Sequence, residues 1–166
     1  ARGKMYTDTL EMEVQTMNDG KYYVAYGSNL NLEQMSRRCP TAQIVGTTTL
    51  HNWKLMFRGG SCNAVATIER EMRGKVPVLV WKIQPQDELS LDRYEGWPHL
   101  YRKETLRLTV GGCRIYAMAY IMNEKGHPYG APSDHYLDTI WVGYKSAGFD
   151  TRILQNAVMN SKEAAR

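Results

Sequence analysis

The chain has 166 residues, 43% hydrophobic and 23% charged, with a formal net charge of +4. Those values fit one ordinary globular domain with a sizeable core and exclude a disordered or fibrous chain. No apolar run is long enough to span a bilayer, and the Lys and Arg residues form no stripe interleaved with aromatics, so neither a membrane nor a nucleic acid is expected as partner.

Residues 1–20 are polar and without a clear period, and read as an arm ahead of a single domain over 21–160. Met5 is a candidate natural start, and Ala1–Lys4 and Glu163–Arg166 read as tails. The segment Ala1–Lys21 lacks the apolar core of a signal peptide, so a cytoplasmic location is the default expectation. Lys21–Tyr26 (KYYVAY) is aromatic and β-branched and reads as a strand. Gly27-Ser28-Asn29 breaks it. A short helix is predicted over Leu32–Arg38, with Asn31 as N-cap, Gln34 as its capping-box partner and Pro40 as the stop.

Four strands follow: Gln43–Leu50, Trp53–Arg58, Ala64–Glu69 and Val76–Ile83. Pro77 costs the last of these a ladder hydrogen bond and fits only a strand start or edge. Pro85–Glu95 reads as a helix ended by Gly96. Leu100–Val110 and Cys113–Met122 read as a hairpin turned by Gly111-Gly112. In Ser133–Ala147 the apolar Leu137, Ile140, Trp141 and Tyr144 recur at helical spacing, with Ser133 as cap and Gly148 as stop. A last helix is predicted over Thr151–Met159. Strands dominate the middle without strict βα alternation, which predicts an α+β fold with a mixed or mostly antiparallel sheet, small enough to roll into a barrel.

Three cysteines at wide spacing (Cys39, Cys62 and Cys113) do not make a disulfide framework. The four histidines show neither H-x-H nor H-E-x-x-H, so no metal and no cofactor are expected. There is no G-x-S-x-G, no G-x-G-x-x-G and no P-loop.

Three segments could carry chemistry. Tyr26-Gly27-Ser28-Asn29-Leu30 runs from a strand through a glycine turn into a helix. Such a turn exposes backbone N–H groups near a positive helix pole and suits a carboxylate or a developing oxyanion. Ser28 and Asn29 add side-chain donors. Glu95 stands at the negative end of a helix beside bulky Tyr94 and Trp97. Both effects oppose ionisation and move its pKa toward the range of a general base. Tyr136, in the first turn of the long amphipathic helix, is either a ligand contact or a core residue. Taken singly, each also has an ordinary structural explanation: a plain turn, an exposed C-terminal Glu and a packed Tyr.

Taken together, in order and spacing, the segments YVAYGSNL, WKLMF, AVATIE, VLVWKI, LDRYEGWPHLYRK and PSDHYLDTIWVGYKSAG resemble the γ-glutamylcyclotransferase family, which includes γ-glutamylamine cyclotransferases and AIG2-like proteins. The resemblance covers roughly residues 21–148. It implies a small mixed barrel flanked by helices. It further implies a cradle for substrate made by Tyr23, Val24, Ala25, Tyr26, Gly27 and Ser28, continued by Asn29. Glu95 matches the family's acid/base residue, and Tyr136 a substrate-contacting tyrosine. The implied reaction releases 5-oxoproline from a γ-glutamyl amino acid, peptide or amine by attack of the α-amine on the γ-carbonyl. The implied partner is that small molecule, bound by a monomer or homodimer. Two alternatives stay open: a non-catalytic binder on the same fold, and a hydrolase or acyltransferase acting on γ-glutamyl amides. Whether the turn holds the α-carboxylate or the oxyanion also stays open.

Overall fold

A computed structural model describes residues 20–166; apart from Gly20, the expected N-terminal arm and the candidate start at Met5 lie outside the described residues. Strand β1 (Lys21–Ala25) lies at the centre of a five-stranded sheet ordered β2-β3-β1-β5-β4. Its neighbours are β3 (Val65–Ile83), antiparallel, and β5 (Cys113–Met122), parallel at Tyr23↔Met118. Strands β2 (Gln43–Arg58) and β4 (Tyr101–Val110) form the two edges. The α+β class is as expected.

The ladder does not close into a barrel. Instead the two edges approach through side chains: Thr48 Oγ1 donates to the Thr109 carbonyl at 2.7 Å, and a Cβ at Gly46 would lie 3.2 Å from a Val110 methyl.

The four strands expected between residues 43 and 83 are two long ones. The residues read as interruptions form a bulge rather than a break. The ladder passes from His51↔Lys75 to Trp53↔Arg70, so residues 71–74 stand opposite Asn52 alone. Asn52 and Arg73 both adopt positive φ, and Asn52 Oδ1 accepts from the Arg73 N–H at 3.1 Å. Gly74 fits there because a Cβ would fall 2.2 Å from the Trp53 carbonyl oxygen. Pro77 is paired with Thr49 of β2, beyond Leu79 where β1's pairing with β3 ends. Only one neighbouring strand is present at the proline, which is how a missing N–H is tolerated inside a strand.

The helices are α1 (Leu32–Arg38), α2 (Pro85–Glu95), α3 (Asp134–Ala147) and α4 (Thr151–Ala164). Asn31 caps α1 by accepting from the Gln34 N–H at 3.0 Å, but the Gln34 side chain accepts from Arg38 rather than closing a capping box. The capping box lies on α2 instead, between Gln84 and Asp87, with Pro85 at its first position and Gly96 ending it at φ 64°. Gly111 and Gly112 turn the β4–β5 hairpin with φ of 57° and 79°, the primed geometry that glycine permits. Ile140 and Tyr144 of α3 are fully buried, with Leu137 and Trp141 packed beside them. Each such side chain removed from water contributes about 1.5–3 kcal/mol.

Helix α4 runs five residues past the expected end at Met159, into the segment read as a tail. The reason is Ser161. Its Oγ accepts from the Phe57 N–H of edge strand β2 at 2.9 Å and donates to the Ala157 carbonyl at 2.7 Å. The helix thereby covers the edge and satisfies a strand donor that has no ladder partner.

Candidate active site

The site is built where β1 ends. Ser28–Leu30 wind into one 3-10 turn, closed by Leu30 N–H donating to the Gly27 carbonyl and Asn31 N–H to that of Ser28, both at 3.0 Å. Its own hydrogen bonds begin at Leu30, so the N–H groups of Ser28 and Asn29 take no part in them. Helix α3 presses the turn into place: Gly143 lies so close to Leu30 that a Cβ would fall 2.6 Å from the Leu30 Cβ. Gly27 is crowded too, since a Cβ there would sit 3.1 Å from Ala66 Cβ and 3.6 Å from Tyr136 Oη.

Opposite the turn stands the end of α2, where Gly96 swings the chain away and leaves Glu95 facing inward. Between them is a cavity of about 210 Å³. Tyr23, Tyr26, Gly27, Ser28 and Asn29 line one side, and Tyr94, Glu95 and Leu100 the other. Val65 and Ala66 of β3, Tyr101 of β4, Tyr120 of β5 and Tyr136 of α3 complete it. The expected residues Glu95, Tyr23, Tyr26, Gly27, Ser28, Asn29 and Tyr136 therefore meet around one space. Val24 and Ala25 do not: both are buried in the core, 1% exposed, with no share in the cavity wall. Trp97 is likewise outside the cavity, 43% exposed and stacked 4.0 Å from Lys103 Nζ.

The tyrosines are tied down individually. Tyr136 Oη accepts from the Ala66 N–H at 2.9 Å, its ring edge-on to Phe57, so it is both a packed residue and a pocket wall. Tyr101 Oη donates to the Ala66 carbonyl at 2.5 Å, and Tyr26 Oη to the Tyr120 carbonyl. Asn29 Nδ2 donates to Tyr23 Oη at 2.8 Å, and Ser28 Oγ lies 3.0 Å from Tyr94 Oη. Tyr120 Oη donates to Asp92 at 2.5 Å, and Lys103 pairs with the same carboxylate at 2.9 Å.

Burial pushes the Glu95 carboxyl up from 4.5 to about 7, against the attraction of the Arg38 guanidinium. The desolvating surroundings are the tyrosine-lined cavity, not Trp97. The phenols of Tyr23, Tyr26, Tyr101 and Tyr136 are held well above their usual range, chiefly by burial, with the charge of Glu95 adding to the effect. They remain neutral near pH 7, so the cavity offers one carboxyl able to exchange a proton there among fixed neutral hydroxyls. Among the described residues no three His, Cys, Asp or Glu side chains gather as metal ligands.

Sequence reasoning missed Tyr94, Leu100, Tyr101 and Tyr120 of the wall, and Arg38 behind it. Tyr94 and Tyr101 stand within the LDRYEGWPHLYRK segment that flagged Glu95, which was the available signal. Tyr120 had none, because it reaches the site only through the parallel pairing of β5 with β1.

A glycine turn thus faces an inward carboxyl across a small cavity walled by tyrosines. The family model described as "Gamma-glutamyl cyclotransferase, AIG2-like" matches residues 23–138, and the chain belongs to that family. The human protein named gamma-glutamylcyclotransferase is 30% identical over 135 residues, covering 76% of this chain and 71% of that one. The bovine protein of the same name is 31% identical over 139 residues with the same coverage. A solved structure titled "Gamma-glutamyl cyclotransferase" superposes with a TM-score of 0.73 at 26% identity, covering 83% of this chain and 86% of that one. No helix of the described residues is long and apolar enough to cross a membrane.

Proposed function

We propose that this chain converts a γ-glutamyl compound to 5-oxoproline and a free amine, with Glu95 as the proton shuttle. The observation that carries the reading is the Glu95 carboxyl, lifted to about 7 inside the cavity and facing the Gly27 turn. The substrate's α-amine and γ-carbonyl carbon belong to the same molecule and need only be folded together. Holding such a pair in the attacking pose can supply on the order of 7–11 kcal/mol.

The chemistry balances without water. The α-ammonium gives a proton to the Glu95 carboxylate, and the freed nitrogen forms a bond to the γ-carbon, closing a five-membered lactam. The bond from the γ-carbon to the leaving nitrogen then breaks as Glu95 returns the proton to that nitrogen; the second proton, still on the ring nitrogen, passes through the same carboxylate to the departing amine, which leaves as an ammonium beside a neutral lactam. The N–H groups of Ser28 and Asn29, and the hydroxyls of Tyr23 and Tyr136, which accept within the protein and keep their own proton to donate, are suited to hold the negative oxygens of the substrate. A base at about 7 fits this exchange, since both its forms are populated at neutral pH and it can take and return a proton readily.

We place the activity in the cytoplasm, where the free thiols of Cys39, Cys62 and Cys113 are stable. The test is Glu95→Gln, which keeps shape and hydrogen bonding but cannot take the ammonium proton. Its kcat should fall by about 10²–10⁴ while substrate still binds, with Glu104→Gln, outside the cavity, as the control. A folded Glu95→Gln protein that forms 5-oxoproline at the wild-type rate would sink the assignment.

A further inference from the structure

Arg38 is the last residue of α1. It does not line the cavity, yet it touches both of its walls. Its Nη1 donates to Asn29 Oδ1 in the turn, and Asn29 in turn holds Tyr23 Oη. Its guanidinium carbon lies 3.3 Å from the centroid of the Tyr94 ring, and the Tyr94 hydroxyl meets Ser28 Oγ. Its Nη2 reaches Gln34 Oε1 at 3.3 Å. One planar cation thus joins the turn to the residue immediately before Glu95. Its neighbour Arg37 spends its charge on Glu33, whereas among the described residues no ion pair joins Arg38 to a carboxylate.

We propose that Arg38 is a positioning residue for the reaction: it fastens the Gly27 turn to Tyr94, fixes the Glu95 carboxyl opposite that turn, and acts on the carboxyl through its charge. The proposal rests on the reading of Glu95 as the shuttle. The other titratable groups lining the cavity with Glu95 are phenols: Tyr23 from β1, Tyr26 just after it, Tyr94 from α2, Tyr101 and Tyr120 from β4 and β5, and Tyr136 from α3. The guanidinium is the cation that opposes the effect of burial on Glu95. Arginine suits the position because one plane both stacks on a ring and forks to two acceptors, which an ammonium cannot do.

The clamp and the charge separate in two variants, Arg38→Gln and Arg38→Lys, each checked for folding by circular dichroism and Tm. The first readout is the ¹³C titration of the Glu95 carboxyl, assigned by its loss in Glu95→Gln. It requires no activity. Removing the cation in Arg38→Gln should raise the midpoint by about one pH unit, and Arg38→Lys should leave it near wild type. The second readout is kcat/KM for 5-oxoproline formation against pH. The acidic limb of Arg38→Gln should move up with the titration. Arg38→Lys should keep the limb but lose about ten- to a hundredfold in kcat/KM, because the stack and fork are gone. A folded Arg38→Gln protein with an unmoved Glu95 titration overturns the proposal, as does Arg38→Lys with wild-type kcat/KM at every pH. An active Glu95→Gln enzyme instead defeats the shuttle reading, and the ¹³C titration still tells the two failures apart.

Discussion

A glutamate at a helix end normally ionises near 4.5, and Glu95 holds its proton to about 7 because it is buried in the cavity. That shift has a sign in the stability of the molecule. The folded carboxyl keeps its proton up to about pH 7, whereas the unfolded one releases it near 4.5. Between those values the folded state binds more protons, so stability falls as pH rises through the window. Glu95→Gln removes the effect. At pH 8 the variant should be more stable than wild type by about 2–4 kcal/mol, and the difference should close below pH 4.5. Urea midpoints at the two pH values check this; an equal difference at both would contradict it. Glu95, the Gly27 turn and Tyr136 were legible in the sequence because each stands in a short motif of fixed spacing. Val24 and Ala25 entered the cradle through the family resemblance, and in this central strand their side chains are buried in the core, away from the cavity wall. Arg38 carried no site signal in the sequence, since its contact to Tyr94 arises only when the end of α2 packs beside α1.

At the scale of elements, local chemistry marked most boundaries. Gly96 and Gly148 end their helices in the left-handed region, and Asn31 and Ser133 start theirs by accepting backbone N–H groups. What local chemistry could not mark was continuity. The Asn52/Arg73 bulge looks like two strand ends in sequence, because positive φ usually signals a turn. The last turn of α4 looks like a polar tail because its support, the Phe57 N–H, comes from 104 residues away. Ser161→Ala should therefore leave a buried strand N–H without a partner and cost about 1–3 kcal/mol. Denaturant unfolding reads this directly; an unchanged midpoint would show that the hydroxyl does not hold α4 to the sheet edge.

At the scale of the molecule, the sheet order is what makes the cavity. Placing β1 between β3 and β5 puts its exit, and so the glycine turn, beside strands that supply Ala66 and Tyr120. β4, paired with β5, adds Tyr101, while α3 seals the back with Tyr136 and crowds the turn through Gly143. The order was not readable from strand patterns, because a parallel β1–β5 neighbour leaves no local turn signal. The central claim is that this cavity closes a lactam and does not hydrolyse an amide. The two reactions differ in whether solvent oxygen enters the product. The direct measurement is mass spectrometry of the product formed from a γ-glutamyl compound in H₂¹⁸O. Unlabelled 5-oxoproline released with the free amine is the predicted result, and glutamate carrying ¹⁸O in its γ-carboxyl as the primary product would contradict it.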